Sequence, residues 1–156
     1  MATFDFFTSY TASGTFTAPR AGLYRFHVIG RGGYGGKGGD VTISRPGIAI
    51  SSGGASGSTG AYAIHEVQMN SGEIATISIG NDVQVNAKNT IVISRGGVNG
   101  GAGGAAHNST ITEAGQPGSV INSTANGANV LNQNAVMGNA GYARPNGNAG
   151  GDAPVI

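Results

Sequence analysis

Apolar and polar positions alternate most clearly along Leu23–Ile29 (LYRFHVI). Tyr24, Phe26 and Val28 share one face there, and Arg25 and His27 the other, the period-two signature of a half-buried strand. The aromatic and β-branched run Thr3–Tyr10 predicts another strand, and Gly14–Pro19 a short one closed by proline. Tyr62–Met69 and Ile74–Ile79 predict two strands joined by a tight turn at Asn70-Ser71-Gly72-Glu73. Val83 and Val85 continue the alternation, and Ile91–Ser94 adds one more strand. Val41–Ile43 and Ile48–Ile50 flank a turn at Arg45-Pro46-Gly47. No window supports an amphipathic helix, because glycine interrupts each candidate at a cost of about 1 kcal/mol relative to alanine. Short strands separated by turn signals predict an all-β fold, a β-sandwich or jelly-roll-like domain with glycine-rich loops.

The texture changes near residue 98. Val98–Ile156 is dominated by Gly, Asn, Ala and Ser, with apolar islands at Val120-Ile121, Val130-Leu131 and Val136-Met137. The division expected is therefore a β-sandwich domain over 1–97 with glycine-rich insertions, and a Gly/Asn/Ala-rich region over 98–156. That region either packs on the domain or on neighbouring subunits, or forms a flexible tail.

A spacing argues for order. Gly30, Gly33, Gly36 and Gly39 recur every third residue, as do Gly54, Gly57 and Gly60, and Gly97, Gly100 and Gly103. Gly138, Gly141, Gly147 and Gly150 keep the same phase, with Arg144 in the missing place. Three residues is the period of the polyproline II helix, which has no internal backbone hydrogen bonds. Its N–H and C=O groups need partners in neighbouring segments. Backbones can approach that closely only along a face without Cβ, which glycine at every third position supplies. The spacing points to polyglycine-II-like packing, with mobile loops as the other reading of the same runs.

Composition narrows the class. The chain has 30 glycines in 156 residues, well above the usual share of about 7%. Disorder fits poorly, since 38% of residues are hydrophobic and only 10% charged. A net charge of +1 gives no long-range attraction to nucleic acid or to an anionic membrane. Cysteine is absent, so packing, backbone bonding or neighbouring subunits must hold the fold. MATFDFFTSY does not read as a signal peptide, and no apolar run reaches the roughly 20 residues that span a bilayer.

Motifs of catalysis and cofactor binding fail on inspection. In GGYGGKGG, Gly36-Lys37 is followed by Gly38, and Arg31 stands where a phosphate loop needs its first glycine. Gly54-Ala55-Ser56-Gly57-Ser58 lacks the closing glycine of a nucleophile elbow. Arg31-Gly32-Gly33 and Arg95-Gly96-Gly97 are two isolated RGG triplets, too few for an RNA-binding array. His27 and His65 lie on expected strands where they could meet across a sheet, but with His107 they make no evident metal set. Glu66 faces away from its neighbour His65. Asn108-Ser109-Thr110 and Asn122-Ser123-Thr124 match a glycosylation sequon, without a leader to make it relevant. No cofactor, metal or catalytic residue is expected.

Thr15–Gly39 (TFTAPRAGLYRFHVIGRGGYGGKGG) runs from a short strand through a proline turn and an alternating strand to a glycine burst. Asn70–Gly104 reads as the second half of the same pattern, where a turn leads into a strand ending in Ile-Gly, another strand follows and a second glycine burst closes it. These two stretches resemble the glycine-rich domain of bacteriophage tail-fibre and tail-tip proteins. The tail is similar in texture to tip adhesins with stacked polyglycine II helices, from which the chain departs in size and sparse aromatic content. The resemblance implies a non-catalytic virion structural or adhesion protein, of tail fibre, tail tip, baseplate or capsid surface, assembled in the host cytoplasm. Its partners would be copies of itself, in a homo-oligomer such as a trimer, other virion proteins, and a host receptor or glycan. Tyr34, Tyr142 and Arg144 are the candidate contact residues, since Tyr and Arg are favoured at interfaces. A cellular carbohydrate- or ice-binding module and a glycine-rich RNA-binding protein are the alternatives.

Overall fold

A computed structural model describes residues 6–42, 51–104, 106–107, 123–140 and 143–144. These residues form twelve strands and no helix: β1 (Gly14–Thr17), β2 (Gly22–Ile29), β3 (Val41–Thr42), β4 (Ser51–Ser52), β5 (Tyr62–Met69), β6 (Ile74–Ile79), β7 (Val83–Ala87), β8 (Thr90–Ser94), β9 (Ala106–His107), β10 (Ala125–Asn126), β11 (Leu131–Gln133) and β12 (Ala143–Arg144). An antiparallel five-stranded sheet runs β1-β6-β7-β8-β10, and an antiparallel three-stranded sheet runs β11-β5-β2. Two further pairs are short, antiparallel β12-β4 and parallel β3-β9.

The alternation read along the sequence sets which face is buried. Tyr24, Phe26 and Val28 on β2 stand opposite Val67, His65 and Ala63 on β5, facing inward, while Arg25 pairs with Glu66 on the outer face. On the five-stranded sheet, Ala75, Ile77, Val85, Ala87 and Val92 turn inward. Both sheets contribute to one cluster, which Phe16 joins through ring contacts with Tyr24 at 5.3 Å and Phe26 at 6.1 Å. Half of the cluster's buried members are alanine, so Phe16, Met69, Ile77 and the valines carry most of its apolar volume.

Two turns join these strands. Asn70–Glu73 carries the chain from one sheet to the other, with Gly72 at φ 83°, a left-handed value that glycine adopts without penalty. Bonds from the Asn70 backbone, and then from Lys88 and the Asn70 side chain, hold the Glu73 carboxyl below its usual range. Lys88 and Asn89 at φ 47° and 65° form the two-residue turn between β7 and β8, with both central residues left-handed as a type I′ turn requires.

The expected strand Thr3–Tyr10 is corrected in its described part. Residues 6–10 belong to no strand and lie exposed, Phe7 at 88%. Their aromatic character serves a different contact: the Phe6 ring meets Phe16 at 6.3 Å and extends the aromatic cluster. Ile48–Ile50, the Arg45-Pro46-Gly47 turn and Val120-Ile121 lie outside the described residues. β10 and β11, from the 98–156 region, bond to β8 and β5, so this region adds a strand to each sheet.

Candidate functional site

Four glycine-rich segments continue the strands beyond the sheets. Residues 30–39 follow β2, residues 53–61 lead into β5, residues 95–104 follow β8, and residues 135–140 follow β11. The first three bond to one another in a closed cycle that repeats every third residue. Gly30, Gly33 and Gly36 N–H groups donate to the carbonyls of Ala61, Ser58 and Ala55 at 2.8, 2.8 and 2.7 Å. Ala61, Ser58 and Ala55 donate in turn to Arg95, Val98 and Gly101, each at 2.9 Å. Gly97, Gly100 and Gly103 close the cycle onto Arg31, Tyr34 and Lys37 at 2.7, 2.8 and 2.9 Å. The order of partners makes 30–39 and 95–104 parallel, with 53–61 antiparallel to both. The fourth segment joins on another side, where Thr59 and Ser56 donate to Val136 and Asn139.

This bonding explains the glycine spacing sterically. A Cβ on Gly33 would lie 2.2 Å from the Val98 oxygen, on Gly36 2.1 Å from the Gly101 oxygen, and on Gly100 1.9 Å from the Ala55 oxygen. Gly30, Gly97, Gly54, Gly57, Gly60 and Gly138 meet neighbouring backbone in the same way. All these separations fall below ordinary van der Waals contact. None of these glycines has positive φ. They are needed because they lack a side chain, not for conformational freedom.

Segment 53–61 is buried throughout, and it is composed only of Gly, Ala, Ser and Thr. Two of its three hydroxyls take backbone donors, as burial favours: Ser58 Oγ accepts from Val98 N–H at 2.8 Å and Thr59 Oγ1 from Val136 N–H at 2.6 Å. Beside the bundle base, buried Ser94 and Ser123 donate to the Val28 and Gly96 carbonyls, each at 2.7 Å.

The solvent side of segment 30–39 carries a row of side chains. Tyr34 is 58% exposed, and the Arg31 guanidinium lies 4.8 Å from its ring centroid. Asn99 Oδ1 accepts from the Tyr34 backbone N–H at 2.9 Å, and Lys37 pairs with Asp40 at 2.9 Å. Of the residues singled out from sequence, Tyr34 is thus placed on this row. Tyr142 lies outside the described residues, and Arg144 stands on β12 opposite Ser51. Gly39 lies in the first segment beyond the bonded cycle, and Gly141, Gly147 and Gly150 are outside the described residues. Arg31 and Lys37 enter the sequence reading only through the failed phosphate-loop and RGG motifs, although their register with Tyr34 is visible in RGGYGGKGG.

His27 and His65 do not meet. His27 is opposite Ile64 and His65 opposite Phe26, so the two rings point to opposite faces of one sheet, a correction that follows from the strand register. His27 stacks against Tyr62 in solvent and hydrogen-bonds its hydroxyl. His65 is 5% exposed, its Nδ1 has no hydrogen-bond partner among the described residues, and burial lowers its pKa from the ordinary 6.5. Among the described residues no group of three His, Cys, Asp or Glu could hold a metal ion. Ser56 and Ser58 lie buried inside the bundle.

Comparison with protein-family models, with curated proteins and with solved structures finds no match, so the geometry of the bundle and its exposed row is what a functional reading rests on.

Proposed function

We propose that the chain is a non-catalytic structural and adhesion protein of a bacteriophage particle, in which a β-sandwich base carries a polyglycine-II-like bundle. The observation that carries this reading is the cycle of backbone bonds among residues 30–37, 55–61 and 95–103, repeating every third residue. Such a bundle needs no hydrophobic core, because backbone bonds tie each segment to its neighbours at every third residue. Its segments are continuous in sequence with strands of the two sheets. A stiff support of this kind suits presentation of a binding surface, since contact residues on ordered backbone lose less entropy on binding. Assembly through copies of the same chain fits the low net charge of +1 and the exposed apolar residues Val130, Leu131, Val136 and Met137 along one stretch.

The test uses particles encoded by the same genome as the chain. Antibody raised against the purified chain is expected to decorate intact particles at a surface position in electron microscopy and to block their adsorption to cells. Particles shown by mass spectrometry to lack the chain would overturn the reading. Light scattering on a sizing column gives the native mass, expected to be that of a closed homo-oligomer.

A further inference from the structure

Between Gly30 and Asp40 every residue is glycine except Arg31, Tyr34, Lys37 and Asp40. These four stand three apart and therefore share one side of the segment. At about 3.1 Å rise per residue, successive members lie roughly 9 Å apart. The first three are clamped from behind, because their carbonyls accept the N–H groups of Gly97, Gly100 and Gly103. Their side chains leave the bundle. Tyr34 is exposed, and the Lys37 and Asp40 side chains are 76% and 74% exposed. None belongs to the hydrophobic cluster, so packing does not account for side chains in an otherwise all-glycine run.

The chemistry of the row is specific. Arg31 lies over the Tyr34 ring, which orients the guanidinium while leaving it at the surface. The Lys37–Asp40 pair is exposed, and such pairs are weak, so the ammonium is open to exchange for another carboxylate. Two cationic residues stand on either side of one aromatic residue with a hydroxyl, their backbone positions six residues, roughly 19 Å, apart, and the Asp40 carboxylate follows three residues on. With Asp40 the row carries a net charge of only +1, far too little for binding to a nucleic-acid backbone, which rests on neutralising several phosphates. The row suits a linear polymer whose hydroxylated rings carry carboxylates, since a cation can take a carboxylate while a ring lies against Tyr34.

We propose that the Arg31–Tyr34–Lys37 ridge binds an acidic polysaccharide, with carboxylates on Arg31 and Lys37 and a sugar ring against Tyr34. This rests on the surface-binding reading above and gives it a ligand class.

Affinity electrophoresis of the full chain tests it, in gels containing polygalacturonate, alginate, polysialic acid or neutral dextran. At least one acidic polymer is expected to retard the chain well beyond dextran, and added salt to reduce the effect. The double variant Arg31→Gln/Lys37→Gln is expected to lose about tenfold in affinity, and Tyr34→Ala about fivefold. A charge-matched control, Arg20→Gln/Lys88→Gln, is expected to bind as the unsubstituted chain does. Circular dichroism checks that every variant is folded. Equal mobility in all four gels, or equal loss in ridge variant and control, would overturn the proposal. Cell binding separates the two levels: a ridge variant that still binds cells sinks the ridge alone. An unsubstituted chain that binds no cells, yet binds acidic polymer through the ridge, sinks the adhesion reading alone.

Discussion

Gly32 and Gly33 are neighbours in sequence, yet their surroundings differ. A Cβ on Gly32 would have the Ser58 oxygen as its nearest contact at 3.9 Å, an ordinary separation. A Cβ on Gly33 would lie 2.2 Å from the Val98 oxygen and 2.5 Å from its carbon, all backbone atoms. Replacing either glycine by alanine restricts the unfolded chain equally, stabilising the fold by roughly 0.4–1 kcal/mol where the site has room. Gly32→Ala is therefore expected to be neutral or slightly stabilising. Gly33→Ala forces segments 30–39 and 95–104 apart by about an ångström, an overpacking that costs roughly 1–3 kcal/mol. The separation also strains Gly33 N–H to Ser58 and Gly97 N–H to Arg31, bonds worth about 1 kcal/mol each. The two variants should then differ by about 3 kcal/mol. With a urea slope of roughly 1–3 kcal/mol per molar, the midpoints should differ by about 1–3 M. The chain has no tryptophan, so circular dichroism is the natural signal. Midpoints that coincide would refute the close-packed account of the glycine runs.

Further expectations concern the base and the bundle's buried polar groups. Met69→Ala, at a fully buried side chain, should lower stability by roughly 2–5 kcal/mol in the same titration. Ser123→Ala leaves the Gly96 carbonyl without its buried donor and should cost roughly 1–3 kcal/mol. His65 stays neutral in the fold below its ordinary pKa of 6.5, so the unfolded chain binds the extra proton. Stability should fall as pH drops below about 6.5, by up to roughly 1.4 kcal/mol per unit, until the folded pKa is reached. That component should vanish in His65→Leu, and an unchanged pH profile in the variant would count against it. In the β7–β8 turn, Lys88→Asn/Asn89→Gly installs the favoured type I′ pair and should raise stability by about 1 kcal/mol, read from the thermal midpoint.

Strands with period-two alternation were legible in the sequence. Leu23–Ile29, Tyr62–Met69 and Ile74–Ile79 lie within or match β2, β5 and β6, because their inward residues meet a shared core. The Phe6–Tyr10 run misled because strand-type residues need a partner strand, and here Phe6 caps an aromatic cluster instead. The short strands β10 and β11 carry little pattern of their own. They are set by pairing with β8 and β5, distant in sequence. The period-three glycines pointed to close backbone approach. Their partners could not be read, since every run offers the same Cβ-free face. Within the exposed row, Tyr34 stood out for its residue type, whereas Arg31 and Lys37 gain meaning only once the segment is seen to hold them in one file.

Amide hydrogen exchange across residues 95–104, resolved by nuclear magnetic resonance, tests the bonded cycle most directly. Gly97, Gly100 and Gly103 donate to segment 30–39, whereas Gly101 and Ala102 donate no backbone bond between segments among the described residues. The account predicts slow exchange at 97, 100 and 103, with fast exchange at 101 and 102. Uniformly fast exchange from 97 to 103 would contradict it, and with it the rigid bundle on which the adhesion reading stands.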